Sequence, residues 1–467
     1  MSTILLVGVF LFADEKIPLS APLKRALYFT SITSSVIASA LYPPDSATIV
    51  VYAYSFISVA FALRAVELLV IHRPSQLKRL EKVHDDFSSP PVYIWQSLPS
   101  ALSFARFLYV CDLLLNPRGI GWAHGSKKYL PPLEKLSAKS TPINGNGSKP
   151  SEAVEQSENE KFLLREPVQG RLTFLAIEAL KLVIAFVVFD AYRTFFGRNY
   201  FQLCTNFHSL LNSAKLQKFE LQYLGFELCT SPETSERIVR RFLLPPAAWA
   251  ASYGFIDGIH AAVAIFSVGF LYYISPTLAG DPWMYPAVFG SWRYIFWPRL
   301  KGVFFLPFES SHADKTKVLT DKIDIWGKLW HDLCRRALVS SSTALIPKRT
   351  PLPVRRALVG VLSFVISGVV HAAGTYAVSK DAHAVLMMMV FFIVLPVFIA
   401  AQEAVTTALE RILPDWSIIR ELIWLLNVAY VIWWGYHTAP WFFDYSMIPE
   451  SLASIPVPEH WSFWHTA

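Results

Sequence analysis

The sequence predicts an all-α, polytopic integral membrane protein, a helical bundle with roughly seven to nine transmembrane helices. Three observations predict it. Only 16% of the 467 residues are charged, against about 25% in an ordinary soluble domain. The chain is 53% hydrophobic and 15% aromatic. Apolar stretches of about 18 residues or more recur along it, and none shows the strict alternation of a transmembrane strand.

Taken in order, the candidate spans are residues 4–13, 26–41, 47–71, 92–115, 172–196, 243–274, 358–378, 385–401 and 418–436. The first two fall short of the about 20 residues that cross a bilayer as helix, so they read as tilted or re-entrant. A cleaved signal peptide is not expected. The N-terminus has no basic leader, and its apolar run ends at once in Asp14-Glu15-Lys16. Three regions follow: residues 1–115 with the N-terminal spans, a cytosolic loop over 116–171, and 172–467 with the remaining spans. Within the loop, residues 137–160 are polar, poor in aromatics and rich in helix breakers, the composition of a disordered linker.

The net charge of +7 fits basic loops that face anionic lipid. No basic, aromatic-interleaved module for nucleic acid is present. Residues 299–356 form the most basic loop, which the positive-inside rule places in the cytosol. Cys111, Cys204, Cys229 and Cys334 are too scattered for a zinc site, and no metal is expected. Residues 201–241 read as a soluble stretch long enough for one or two short helices.

Two groups of residues carry chemistry. The apolar run from Leu358 to Val370 ends in His371, and an ionisable group inside a span needs a partner or a function. A neutral imidazole there keeps a nitrogen lone pair to take a proton as a general base. Ser367 lies one turn back on the same face, and Gly368 removes bulk where a ligand could approach. The alternative is a core histidine bonded across the bundle, or a residue at a helix end near Gly374. In the second group, Ile325, Leu329 and Leu333 recur at i, i+4 and i+8, with Trp326 and Trp330 beside them and Lys328, Arg335 and Arg336 opposite. That pattern is a surface-lying amphipathic helix, whose cations suit lipid phosphate or the phosphates of a nucleotide thioester equally. Elsewhere, Glu178 with Lys181 reads as an intrahelical pair, Asp190 as a helix-end contact, and Gln402-Glu403 as a membrane boundary.

These residues also carry a resemblance. Ile325-Trp326-Gly327-Lys328-Leu329-Trp330-His331 resembles the Phe-Trp-Gly-Arg-Arg-Trp-His block of the wax synthase-like branch of the membrane-bound O-acyltransferases. Ser367-Gly368-Val369-Val370-His371 resembles that family's apolar block, which ends in its catalytic histidine. Upstream, Arg118-Gly119-Ile120-Gly121-Trp122 is similar to a block of fungal members, and Pro286-Ala287-Val288-Phe289-Gly290 to the family's Pro-x-x-Phe-Gly. The resemblance implies a catalytic core over 172–467 with a central acyl-transfer tunnel. It implies His371 as the catalytic base and His331 as the group that holds the alcohol or polarises the carbonyl. Trp326 and Trp330 would wall the tunnel, with Lys328, Arg335 and Arg336 on the donor's phosphates and Ser367 and Gly368 lining the site. No permanently bound cofactor is implied; acyl-CoA, most simply acetyl-CoA, is the co-substrate. The partner is a hydrophobic alcohol, and the fungal likeness favours a terpenoid or meroterpenoid of secondary metabolism at the endoplasmic reticulum. A long-chain wax ester or sterol ester synthase is the nearest alternative.

A membrane transporter is the reading from another class, but the halves show no internal repeat or matching broken helices. A prenyltransferase would need spaced aspartates for diphosphate and magnesium, and Asp85-Asp86 is the only adjacent pair. Neither His-Glu-x-x-His nor Gly-x-Ser-x-Gly occurs.

Overall fold

The computed structural model describes residues 2–72, 77–84, 92–99, 102–116, 119, 121–124, 133–135, 162–164, 170–213, 231–270, 273, 335–414, 416–446, 452 and 462. Helix α1 (Ser2–Ala13), α2 (Ala21–Leu41) and α3 (Thr48–Ala65) open the chain, α3 passing through a π-helical turn to Ile71. Strands β1 (Lys78–His84) and β2 (Val92–Ser97) precede α4 (Phe104–Leu115), and β3 (Leu133–Lys135) and β4 (Phe162–Leu164) precede α5 (Arg171–Tyr192). Then come α6 (Tyr200–Leu211), α7 (Pro232–Ile238), α8 (Leu244–Ala264), α9 (Arg335–Leu345), α10 (Leu352–Ser379), α11 (Ala382–Ile412) and α12 (Ser417–Ser446).

The architecture is that of an all-α polytopic membrane protein. Among the described residues, five helices are long and apolar enough to cross a membrane: Thr48–Ile71, Arg171–Gly197, Pro232–Phe270, Leu352–Ser379 and Ala382–Ile412. Helices α2 and α12 run for 21 and 30 residues but are not among those five. Outward-facing Leu352, Val354, Leu358 and Val361 leave the first half of α10 clothed in exposed apolar side chains, the surface that lipid wets.

One expected span is corrected. Residues 92–115 are not a single helix but strand β2 followed by the 12-residue α4. Val92-Tyr93-Ile94-Trp95 is β-branched and aromatic, and it pairs with β1 from Lys78↔Ser97 onward. Ser103 then starts α4 afresh, its hydroxyl accepting from the Arg106 N–H. Twelve residues reach only about 18 Å, well short of the about 30 Å hydrocarbon layer. The four strands form one small antiparallel sheet in the order β1-β2-β4-β3. Residues 137–160, expected to form a disordered linker, lie outside the described residues. So does the greater part of the 299–356 loop, including the segment 325–334 expected to form an amphipathic helix.

Small residues set the helix packing. A Cβ at Gly254 or Gly258 would stand 3.4 Å from the Ala185 carbonyl oxygen or 3.3 Å from its Cβ, so α8 and α5 meet backbone to backbone across a Gly-x-x-x-Gly face. Polar groups join α11 to α12. Asn427 Oδ1 accepts from Gln402 Nε2 and Thr406 Oγ1, each at 2.9 Å. Gln402 thus lies inside α11, which continues to Ile412, and serves as a link between helices. Glu178 and Lys181 form the expected intrahelical pair at 2.6 Å, and Asp190 accepts a hydrogen bond from Ser462. Two cores result. One gathers α1, α2, α4 and the end of α3 around Leu68 and Trp122; the other gathers α3, α5, α8, α10, α11 and α12 around Tyr52, Phe392 and Phe442.

Candidate active site

Helix α10 places His371. Its first turn carries Pro353, whose fixed φ suits a helix start, and Lys380 ends it in the left-handed region at φ 52°. His371 is therefore mid-helix, not a loop-end residue near Gly374. In its second half the buried positions are Ser367, Gly368, Val370, His371, Ala372, Gly374, Thr375 and Ala377. This is a stripe of small side chains with one imidazole in it.

The stripe is small because large rings fill it from other helices. A Cβ at Gly368 would stand 3.0 Å from Phe392 Cβ of α11, and one at Gly374 would stand 2.9 Å from the Tyr52 ring of α3. The two glycines sit three residues before and three after His371, and each admits an aromatic side chain. Gly368 was expected to make room for a ligand; in the structure Phe392 and Met389 occupy that room.

His371 is 6% exposed. Its ring stacks on Phe392 at 4.7 Å and 20°, with Phe56 edge-on at 4.9 Å and Phe442 at 5.5 Å. Tyr52 Oη lies 2.8 Å from His371 Nδ1, a hydrogen bond between residues 319 positions apart. Four helices, α3, α10, α11 and α12, thus converge on one imidazole. Ser367 is buried one turn back on the same face, as its spacing predicts.

A second polar centre lies at the far end of α3, 15 residues on from Tyr52, or about 22 Å along the axis. There Glu67, fully buried, takes the guanidinium groups of both Arg64 and Arg336. Arg64 also donates to the Leu113 and Asn116 carbonyls at 2.8 and 3.0 Å. Arg336, expected to bind a phosphate, is therefore ion-paired within the protein, while Arg335 beside it is exposed. Beyond this pair, Trp122 Nε1 donates to Asp112 Oδ2 at 3.0 Å, and Arg79 meets the same oxygen at 3.3 Å. Gly119 and Gly121 hold φ of 63° and 79°, values a side chain disfavours. The Gly121 carbonyl accepts from Leu80 N–H and the Ala123 N–H donates to the Lys78 carbonyl, so the block stitches Trp122 onto β1. Burial pushes the His124 imidazole down to about 2, with the positive charges of Arg336 and Arg64 next in weight, and His72 is lowered for the same first reason.

Of the expected site residues, the structure brings Ser367, Gly368 and His371 together and places Arg335 and Arg336 at the other end of the bundle. His331, Trp326, Trp330 and Lys328 lie outside the described residues, and so does the expected meeting of His331 with His371. Sequence reasoning missed Tyr52, Phe56, Phe392 and Phe442, which look like any apolar span residues. It also missed Arg64 and Glu67, although two charges three apart inside an apolar run were a visible signal. Among the described residues, no group of three or more His, Cys, Asp or Glu side chains is placed to hold a metal ion.

No curated protein and no solved structure matches the chain. A family model does match, over the residues that lead into α9 and on through α10 and its imidazole into α11: residues 319–394 are similar to the Membrane bound O-acyl transferase family.

Proposed function

We propose that this chain transfers an acyl group from acyl-CoA to the hydroxyl of a hydrophobic alcohol, with His371 as the general base. The single observation that carries the reading is His371 itself. It is the one histidine of the α10 stripe, it lies within the segment that matches the family, and it is enclosed by four helices and bonded at Nδ1 to Tyr52.

The chemistry follows from that enclosure. His371 Nε2 takes the proton from the acceptor hydroxyl as its oxygen attacks the thioester carbonyl. A C–O bond forms and the carbonyl becomes an oxyanion; His331, in this reading, holds the alcohol or donates to that oxygen. The oxyanion collapses, the C–S bond breaks, and the imidazolium returns its proton to the departing thiolate, leaving ester and free CoA. Aromatic walls exclude water, which would otherwise intercept the acyl group. Trp326 and Trp330 extend those walls into a tunnel. Lys328 and Arg335 contact the donor's phosphates at the basic end of the bundle, and Arg336 supports that end through Glu67. With the 299–356 loop in the cytosol, the nucleotide approaches from the cytosolic face of the endoplasmic reticulum. Acetyl-CoA as donor and a terpenoid or meroterpenoid acceptor are the finer parts of the proposal, and they rest on the resemblance of the sequence blocks.

The test is direct. Purified protein is incubated with labelled acetyl-CoA or palmitoyl-CoA and a panel of terpenoid, sterol and fatty alcohols. The expected result is an ester with at least one pair and none above background from His371→Ala of unchanged thermal stability. Full turnover by His371→Ala, or no ester from any pair, overturns the reading; an ester from palmitoyl-CoA alone removes the acetyl assignment.

A further inference from the structure

Tyr52 lies 267 positions ahead of residue 319, outside the segment that the family model matches, and no sequence motif points to it. We propose that Tyr52 is the positioning residue of His371, its phenol oxygen holding Nδ1 so that Nε2 is the nitrogen that works on the substrate. The inference rests on the acyl-transfer reading above.

Three independent contacts fix the phenol. Its hydroxyl is 2.8 Å from His371 Nδ1. Its ring lies on the bare backbone of α10 at Gly374, where any Cβ would come within 2.9 Å. Phe56, one turn further along α3, stacks on it at 6.2 Å and meets His371 edge-on at 4.9 Å. The ring cannot swing away without displacing either a backbone or a second aromatic side chain that itself touches the imidazole.

A phenol suits this place for a chemical reason. A neutral imidazole carries one N–H and one lone pair, and a phenol can accept from the first or donate to the second. When Oη accepts from Nδ1–H, Nε2 presents its lone pair to the acceptor hydroxyl. When Oη donates to Nδ1, Nε2 bears the hydrogen and can donate to a carbonyl oxygen. Rotation of its O–H lets the phenol serve either tautomer; the tautomers themselves differ in which ring nitrogen holds the proton. Once Nε2 has taken the proton, Nδ1–H still bonds Oη, now as a charge-assisted and stronger hydrogen bond. A carboxylate could do the same only by burying a full charge among phenylalanines, at far greater desolvation cost.

The experiment compares wild type, Tyr52→Phe, Gly374→Ala and His371→Ala in the esterification assay, with thermal unfolding of each. Tyr52→Phe keeps the ring and deletes the oxygen. Its kcat is expected to fall about 10- to 100-fold while KM for donor and acceptor stays within about twofold. The solvent deuterium isotope effect on kcat should rise, because proton transfer has become the slower step; a packing defect would not move it. Gly374→Ala, which pushes the ring away, should lower kcat in the same direction. Wild-type kcat in Tyr52→Phe overturns the inference. So does a loss explained wholly by less folded protein, with kcat per folded molecule and isotope effect unchanged. If His371→Ala also retains turnover, the acyl-transfer reading itself fails. If His371→Ala is inactive and Tyr52→Phe is not, only the role of Tyr52 fails.

Discussion

Glu67 reaches Arg336 across 269 positions of chain, joining the end of α3 to the second residue of α9 in a buried ion pair that also includes Arg64. The pair links the two cores. Glu67 stands in the half built from the N-terminal helices, and α9 leads through Ser342, hydrogen-bonded to Ser363 at 3.1 Å, into the helix that carries His371. Helix α3 thus contributes at both ends: Tyr52 at the imidazole and Glu67 at the basic end.

Glu67→Gln preserves shape and removes the charge. It leaves two guanidinium groups, one only 3% exposed, facing each other without a carboxylate between them. Breaking one partner of a buried pair costs about 3–5 kcal/mol. A thermal unfolding midpoint lower by several degrees is expected in detergent. Adding Arg336→Met should recover part of that loss, since the repelling charge is gone. Strict additivity of the two losses would show that the groups do not interact.

Gly368→Ala tests the packing beside His371. The new methyl would meet Phe392 Cβ at 3.0 Å and Met389 Sδ at 3.3 Å. A Cβ cannot rotate aside, so α10 and α11 must part, at about 1–3 kcal/mol. Phe392 stacks on His371, so turnover should fall along with stability. Gly360→Ala on the same helix meets nothing within 4 Å and should stabilise by about 0.5–1 kcal/mol through helix propensity. Equal behaviour of the two variants would contradict the packing described here.

The contrast between α10 and β2 explains what was legible in the sequence. The run from Leu358 to Val370 is longer than any strand, so length alone identified a helix, and His371 stood out as its one imidazole. Residues 92–115 are apolar in stretches broken by Gln96, Pro99, Arg106 and Asp112, and a short buried strand and a buried helix share that signature. The pairing of Val92–Ser97 with Lys78–His84 depends on a partner that periodicity does not reveal. The same limit hid Tyr52. A tyrosine in a membrane helix is ordinary until the fold brings it 2.8 Å from an imidazole 319 residues away. Gly368 was readable as a gap and Gly374 only as a possible helix end, and the rings that fill the space at both were not readable.

Protonation of His124 should make the fold sensitive to acid. Unfolded, an imidazole binds a proton near the ordinary value of 6.5, whereas folded His124 stays neutral down to about 2 because burial and the Arg336 and Arg64 charges oppose its protonation. Between those values the unfolded chain holds the extra proton. Stability that is complete above pH 6.5 therefore falls as pH drops, by up to about 1.4 kcal/mol per pH unit. His72, shifted the same way, adds to the slope. Unfolding midpoints measured at pH 7.5 and pH 5 should fall less in His124→Gln than in wild type. Parallel falls would assign the acid sensitivity to other groups.

The sheet makes a final prediction about the 116–171 region. Lys135 of β3 pairs with Phe162 of β4, so the intervening residues leave and rejoin the fold at adjacent points, a spacing that a two-residue type I′ turn closes. Replacing residues 136–161 by Asn-Gly should then preserve the β3–β4 pairing and shorten the loop whose closure opposes it. The composition of 137–160 offers almost no apolar surface to bury, so little stabilising contact is expected to go with it. The shortened protein should unfold no lower than wild type, since the two-residue loop costs about 2 kcal/mol less to close. Its esterification rate should be unchanged, because His371 and Tyr52 belong to helices that meet in the other core. A large drop in midpoint would assign a structural role to the excised residues; a drop in rate alone would assign them to the path of a substrate.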